Sequence, residues 1–250
     1  MVKSTRSHFD KDVRRPPSAP RPTIGWIKPA VLVVIVLSCV GLLAYAADHA
    51  IKTYHDAVSL SGKVSDPTPT SLVIAGEPLS IPANMIRSAG MRAGGNVDRV
   101  DLLLHWPSLE GFSDDKADAF RDGSTDAPLL YVSIVPRENP LDSDMRLSAL
   151  YSRFFIGGAL AGPAGLTGRY MTDDSGYRGE LIFFAADGPD RYAARCIAEA
   201  TPEVPATCIR DVNIGNQITM TYRFDRSYLG DWKAMDNGLK TLATDFVGQR

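Results

Sequence analysis

The longest apolar run along the chain covers residues 29–47, where Ser38 is the one ordinary polar side chain. A helix of about 20 apolar residues crosses the hydrocarbon core of a bilayer. Pro29 suits a first helical turn, which does not need the N–H that proline lacks. Trp26 and Tyr45 lie near the two ends, where amphipathic rings favour the headgroup level. The pattern therefore predicts a transmembrane helix at 29–47, with the lipid bilayer as its partner.

The charges around this run predict the orientation of the helix. Residues 1–28 carry seven bases and two acids, whereas charges of both signs follow the run. Positive residues next to a transmembrane helix stay on the cytoplasmic side. We therefore expect a disordered, basic, proline-rich tail at 1–28 in the cytoplasm, a single-pass helix in the cell inner membrane, and a C-terminal domain in the periplasm.

A cleavable signal peptide is the alternative interpretation of the same segment. Ala44, Tyr45 and Ala46 match the small-x-small pattern of a signal-peptidase site, with cleavage after Ala46. The long basic leader and the full-length apolar run favour an uncleaved signal anchor. In both interpretations residues 48–250 are exported.

The exported part is acidic, which narrows the classes of partner. The whole chain has a formal net charge of −2 and residues 1–28 contribute +5, so residues 29–250 carry −7. A domain with this net charge repels the phosphates of nucleic acid. The charge balance therefore excludes nucleic acid from the predicted partners.

Alternation of apolar and polar residues predicts strands in the exported part. The even positions of 100–106 and of 218–224 are apolar, which is typical of strands with one buried face. Further strands are predicted at 72–75, 79–81, 130–135 and 181–185. Turn residues between Leu166 and Phe224 divide that part of the chain into a C-terminal antiparallel meander of about five strands.

Two amphipathic helices complete the predicted fold. The first follows the start signal Asn139 and Pro140 and ends before Gly157, and the second follows Asp225. Each has apolar residues at helical spacing. In the first helix these are Leu147, Leu150, Tyr151, Phe154 and Phe155. In the second helix they are Tyr228, Leu229, Trp232, Met235, Leu239, Leu242 and Phe246. We expect a linker at 48–70 and one α+β domain at 71–250, with both helices on one face of a mainly antiparallel sheet.

The cysteines of the exported part predict a disulfide bond. Cys196 and Cys208 lie symmetrically about Pro202, in a part of the chain where oxidation is permitted. If the flanking segments pair as strands, equal spacing from the turn places the two sulfur atoms opposite each other. The few histidines of the exported part supply no set of metal ligands, so no metal site and no cofactor is predicted.

Two residues of the predicted domain form a candidate catalytic pair. His105 is the one histidine of the predicted domain, and it shares the polar side of its strand with Asp101. A histidine and a carboxylate can act as a general base and its orienting group, so these two are the candidate catalytic residues. The glycine-rich segment 157–165 follows a helix instead of opening one, so it is predicted to be a flexible surface connection and not a phosphate-binding loop.

The layout resembles that of single-pass bacterial envelope proteins, which have a short basic cytoplasmic tail and a periplasmic domain. This organisation predicts a non-catalytic periplasmic interaction domain that binds a protein or cell-wall partner. One alternative is a small-ligand or lipid-binding domain whose pocket lies between the sheet and the two helices. The other is a periplasmic hydrolase that uses His105 and Asp101. Neither the oligomeric state nor the identity of the partner follows from the sequence.

Overall fold

The computed structural model describes residues 29–60, 62–121, 127–185 and 191–248. The predicted cytoplasmic tail at 1–28 lies outside the described residues. The chain divides into two compact units, Met1–Ile51 and Lys52–Arg250, and each is described by itself.

A long helix, α1, spans Pro29–Leu60. Its segment Val31–Tyr54 is long and apolar enough to cross a membrane, and the side chains of this segment are exposed. At about 1.5 Å per residue the 24 residues of this segment measure about 36 Å, against a hydrocarbon core of about 30 Å. A helix able to span a membrane is therefore present where the sequence predicts one. It continues past residue 47, so the first part of the predicted linker at 48–70 is helical.

The described part of the second unit combines eleven strands with two helices. The strands are β1 (Pro69–Ile74), β2 (Glu77–Pro82), β3 (Gly95–Asn96), β4 (Val100–His105), β5 (Leu129–Pro136), β6 (Phe155–Ala161), β7 (Thr167–Met171), β8 (Glu180–Ala185), β9 (Tyr192–Ile197), β10 (Thr207–Ile214) and β11 (Ile218–Asp225). The helices are α2 (Ser143–Ala149) and α3 (Trp232–Gly248).

Eight strands form one antiparallel sheet in the order β4-β5-β11-β10-β9-β8-β7-β6. The segment from β6 to β11 is a continuous meander, which has six strands where the sequence predicts about five. The remaining strands form a small separate sheet, in which β1 pairs antiparallel with β2 and parallel with β3. The predicted α+β class and the large antiparallel sheet are confirmed.

Residues 157–161 of the glycine-rich segment belong to the edge strand β6, so the prediction that the segment is a flexible connection is wrong. β6 pairs antiparallel with β7, and the register shifts between Ile156 and Leu160. Gly157 has a φ of 69°, which glycine adopts at little cost, so the irregularity lies where the sequence permits it. Glycines carry no side chain to alternate, and the pattern therefore did not reveal this strand.

The main core lies between one face of the sheet and α3. The apolar stripe of α3 packs there, including the buried residues Trp232, Met235, Leu239 and Phe246. The same core contains even-numbered residues of the central strands, among them Leu102, Val132, Met220 and Tyr222. The small sheet adds Leu72, Ile74, Leu79 and Ile81, and α3 packs against β2. The apolar stripe predicted for the C-terminal helix is thus part of the core.

The first predicted helix is shorter than expected and lies on the other face of the sheet. It consists of α2 followed by a 3-10 turn at Tyr151–Phe154. Tyr151 packs against Ile182 of β8, whereas the neighbouring Leu181 faces the main core. Because successive strand residues point to opposite faces, α2 and α3 cover opposite faces of the sheet. The prediction that both helices share one face is wrong.

Cys196 on β9 and Cys208 on β10 form the predicted disulfide bond. They are register partners with Cα atoms 4.0 Å apart, and both side chains are buried in the main core. The symmetry of the two cysteines about the turn therefore predicted their pairing.

β9 and β10 pair at Cys196 with Cys208 and at Arg195 with Ile209, and beyond these two pairs α2 lies between the two strands. The hydroxyl of Ser143, the first residue of α2, accepts a hydrogen bond from the Asp211 N–H at 3.1 Å and donates one to the Asp211 carboxylate at 2.7 Å. On the other side, the guanidinium of Arg210 donates to the Ala193 carbonyl at 3.0 Å. Side chains thus form hydrogen bonds with backbone groups that would bond to each other if β9 and β10 paired along their whole length.

Candidate functional site

A row of four cross-strand partners crosses the sheet on the face that points away from α3. Tyr131 of β5 pairs with Arg223 of β11, Arg223 pairs with Ile209 of β10, and Ile209 pairs with Arg195 of β9. In each strand the flanking residues point into the main core, so these four side chains share the opposite face. They are exposed or half-buried.

Both ends of this face are covered, and the middle is open. At one end Leu103 is buried under Phe112 and Phe120. At the other end Ile182 is buried under α2 and the turn that follows it. Between them lies a groove of about 910 Å³, which we call the central groove. Because its floor consists of strands on a packed sheet, the groove is largely preformed.

A hydrogen-bonded cluster on β4 and β5 fixes one wall of the central groove. The Arg99 Nε atom lies 2.7 Å from an Asp101 carboxylate oxygen, and the Ser133 hydroxyl donates to the same oxygen at 2.6 Å. Arg99 also donates to the Ser133 hydroxyl at 2.9 Å. Asp101 and Ser133 are register partners, which brings these groups together. The Asp101 charge is therefore balanced within the wall.

A second ion pair fixes the opposite part of the groove. The Arg195 guanidinium lies 3.0 Å from the Glu180 carboxylate, and it sits 4.7 Å from the centre of the Tyr177 ring. Both ion-paired side chains are about three-quarters buried. The charge of Arg195 is therefore matched by Glu180.

Two other arginines of the groove have no carboxylate partner within the described part of the chain. The Arg87 guanidinium lies 5.9 Å from the centre of the Tyr131 ring. Arg223 is the register partner of Tyr131 on the next strand, and its side chain is exposed. We call Arg87, Tyr131 and Arg223 the arginine–tyrosine patch. It presents two guanidinium groups beside an exposed aromatic ring.

Another part of the groove has the opposite charge. The connection between β9 and β10 contributes Glu203 and Val204 to the lining. The Glu203 carboxylate accepts a hydrogen bond from the Thr201 hydroxyl at 3.0 Å, and Val204 is 44% exposed. The central groove is therefore positive at the arginine–tyrosine patch and negative at this connection.

The two residues singled out for catalysis have different partners. Asp101 lies in the wall of the groove, as described above, whereas His105 lies at the end of β4 with its Nδ1 atom 3.1 Å from the Ser108 hydroxyl. Four residues of a strand separate them by about 13 Å. Neither residue is a hydrogen-bond partner of the other, and the catalytic role of the pair stays a prediction. Within the described ranges, no three side chains of metal-binding type converge.

Sequence reasoning did not single out the arginine–tyrosine patch. Tyr131 and Ser133 do alternate with the buried Leu130 and Val132, so the signal for an open face was present. The position of Arg223 beside Tyr131 depends on the pairing of β5 with β11, which are far apart in the chain. No protein-family model, curated protein or solved structure matches this chain significantly.

Proposed function

We propose that this protein is a single-pass envelope protein whose periplasmic domain is a non-catalytic interaction module. The N-terminus is cytoplasmic, α1 anchors the chain in the cell inner membrane, and the domain binds a protein or cell-wall partner. The observation that carries the proposal is the central groove, an open and preformed surface lined by side chains suited to polar recognition. Binding sites of this kind combine apolar area with a few placed polar groups.

Three features support the anchored and exported arrangement. The first is the apolar segment Val31–Tyr54 of α1. The second is the disulfide bond between Cys196 and Cys208, since such bonds persist in oxidising compartments. The third is the basic stretch at 1–28, which favours a cytoplasmic N-terminus.

The geometry favours binding in the groove over the two alternative functions. The space between α3 and the sheet is filled by Trp232, Met235 and Leu239, which disfavours a lipid pocket at that interface. A pocket of about 270 Å³ between α2 and α3 is lined mostly by charged and polar side chains. The hydrolase alternative relies on His105 and Asp101, which have separate partners. In contrast, exposed side chains such as Arg87, Tyr131 and Arg223 line the central groove.

Site-specific photocrosslinking in intact cells tests the proposed binding site. A photoreactive residue introduced as Val204→p-benzoylphenylalanine reports on the groove, and Asp245→p-benzoylphenylalanine on the exposed side of α3 is the matched control. We expect a discrete adduct from position 204 and none from position 245. Equal labelling at both positions, or none at position 204, would contradict the proposal.

Intact mass spectrometry of the membrane-extracted protein tests the anchor. We expect the full-length mass, with Cys196 and Cys208 protected from alkylation until a reductant is added. A mass that lacks residues 1–46 would show a secreted protein. Two unprotected thiols at Cys196 and Cys208 would contradict the exported arrangement.

A further inference from the structure

We infer that the central groove binds an extended peptide segment of a protein partner, and that Arg87 and Arg223 hold a carboxylate of this segment above Tyr131. The inference rests on the proposed function and names the chemistry of its partner.

The balance of charges in the groove points to one acidic group. Of the seven charged residues that line it, two ion pairs neutralise four, namely Arg99 with Asp101 and Arg195 with Glu180. The remaining charges are Arg87 and Arg223 beside Tyr131, and Glu203 on the connection between β9 and β10. A ligand that complements these charges places a carboxylate at the arginine–tyrosine patch and a neutral or basic group near Glu203.

Guanidinium chemistry explains why a carboxylate fits the arginine–tyrosine patch. A guanidinium has five N–H donors in a planar fork and no acceptor, and it binds a carboxylate through two parallel hydrogen bonds. Arg87 and Arg223 both adjoin Tyr131, since the Arg87 guanidinium lies 5.9 Å from the centre of its ring and Arg223 is its cross-strand partner. Their N–H groups have no carboxylate acceptor among the described residues, so an incoming carboxylate would be their first.

The length of the groove suits a short stretch of extended chain. Its lining runs from Asp101 on β4 to Glu180 on β8, across six neighbouring strands. With strands about 4.8 Å apart, this distance is about 24 Å. An extended peptide advances about 3.3 to 3.6 Å per residue, so about seven residues fill the groove. The half-buried Ile209 and the exposed Val204 supply apolar contacts along this path.

The same lining disfavours a polyanion. A chain of phosphates would meet the Glu203 carboxylate, which has no ion-pair partner among the described residues and repels it. The guanidinium groups of Arg99 and Arg195 are already paired with Asp101 and Glu180. One carboxylate at the arginine–tyrosine patch avoids the contact with Glu203. The groove therefore fits a peptide of mixed composition better than a phosphate-rich polymer.

Selection from a peptide library tests the inference without a known partner. The probe is a phage-displayed library of random heptapeptides, presented to the full-length protein in lipid nanodiscs. We expect enrichment of Asp or Glu at one position of the peptide. The double variant R87Q/R223Q should lose this enrichment and bind a selected peptide at least tenfold more weakly, because charge-assisted hydrogen bonds are lost.

The control variant is Arg178→Gln, which removes an arginine that is 75% exposed and pairs with Asp173 outside the groove. It should keep both the enrichment and the affinity. Thermal unfolding of R87Q/R223Q should match that of the wild type, because both arginines are exposed and neither has an ion-pair partner within the described residues.

Three outcomes would overturn the inference. In the first, the wild type selects neutral or basic peptides. In the second, R87Q/R223Q selects acidic peptides as strongly as the wild type does. In the third, the wild type sediments with purified cell-wall sacculi and R87Q/R223Q does not, which would show that the carboxylate belongs to the cell wall. Crosslinks from position 204 in any of these cases would leave the proposed function standing. If position 204 gives no crosslinks and no peptides are selected, the proposed function is overturned as well.

Discussion

Arg210 of β10 and Asp236 of α3 form a buried ion pair that joins the sheet to the C-terminal helix. The Arg210 Nε atom donates to an Asp236 carboxylate oxygen at 2.9 Å, and the two residues are 0% and 3% exposed. Asp144 of α2 also accepts a hydrogen bond from the same guanidinium at 3.0 Å, and the Tyr222 hydroxyl donates to Asp236 at 2.8 Å. One guanidinium thus connects both helices to the sheet.

Removing the charge of Asp236 should destabilise the domain strongly. Asp236→Asn leaves the buried Arg210 with one carboxylate partner, Asp144, and breaking a buried pair costs about 3 to 5 kcal/mol. Urea unfolding followed by circular dichroism measures this free energy. Lys240→Gln is the control, since Lys240 contacts the same carboxylate at 2.7 Å but is 37% exposed, and it should cost less than about 1 kcal/mol. Equal losses in the two variants would show that burial of Arg210 does not matter.

The same pair should make the domain sensitive to acid. Burial tends to raise the pKa of Asp236, but the charges and hydrogen bonds of Arg210 and Lys240 outweigh it and hold the pKa below its ordinary value of 3.8. A group whose pKa is lower in the folded state stabilises the fold above its unfolded pKa and loses this effect as the pH falls. The unfolding free energy should therefore drop below about pH 4. A wild-type pH profile as flat as that of Asp236→Asn would contradict this assignment.

The disulfide bond should contribute measurably to stability. Cys196 and Cys208 are 12 residues apart and buried, so the chain-entropy model assigns the bond about 3 kcal/mol. Comparison of C196A/C208A with the wild type by urea unfolding measures the loss. Reduction of the wild type should produce a similar shift in the unfolding midpoint. A double variant as stable as the oxidised wild type would exclude a stabilising role.

Two glycines should respond differently to the same substitution. A Cβ atom added at Gly111 would lie 2.5 Å from the Asn84 carbonyl oxygen, so Gly111→Ala requires movement of the backbone and should cost about 1 to 3 kcal/mol. Gly158 of β6 has no atom within 4 Å of such a Cβ, so Gly158→Ala should change stability by less than about 1 kcal/mol. Thermal unfolding ranks the two variants. The opposite order would contradict the close approach at Gly111.

Some of the binding face could be predicted from the sequence. The alternation in β11 assigns Arg223 to the polar side of its strand, and the same period places Asp101 on the polar side of β4. These patterns are local, because strand residues two apart share a face whatever the partner strand is. The alternation does not say which residues of two strands become neighbours.

The sequence by itself determined the apolar helix, the antiparallel α+β class and the pairing of Cys196 with Cys208, since each depends on residues close together in the chain. Only the tertiary structure decided that glycine-rich β6 is an edge strand, that α2 and α3 cover opposite faces, and that Arg87 and Arg223 meet at Tyr131. It also decided that Arg210, at an inward position of a strand, is buried between two helices. These outcomes depend on strand order and register, which distant segments fix when they pack together.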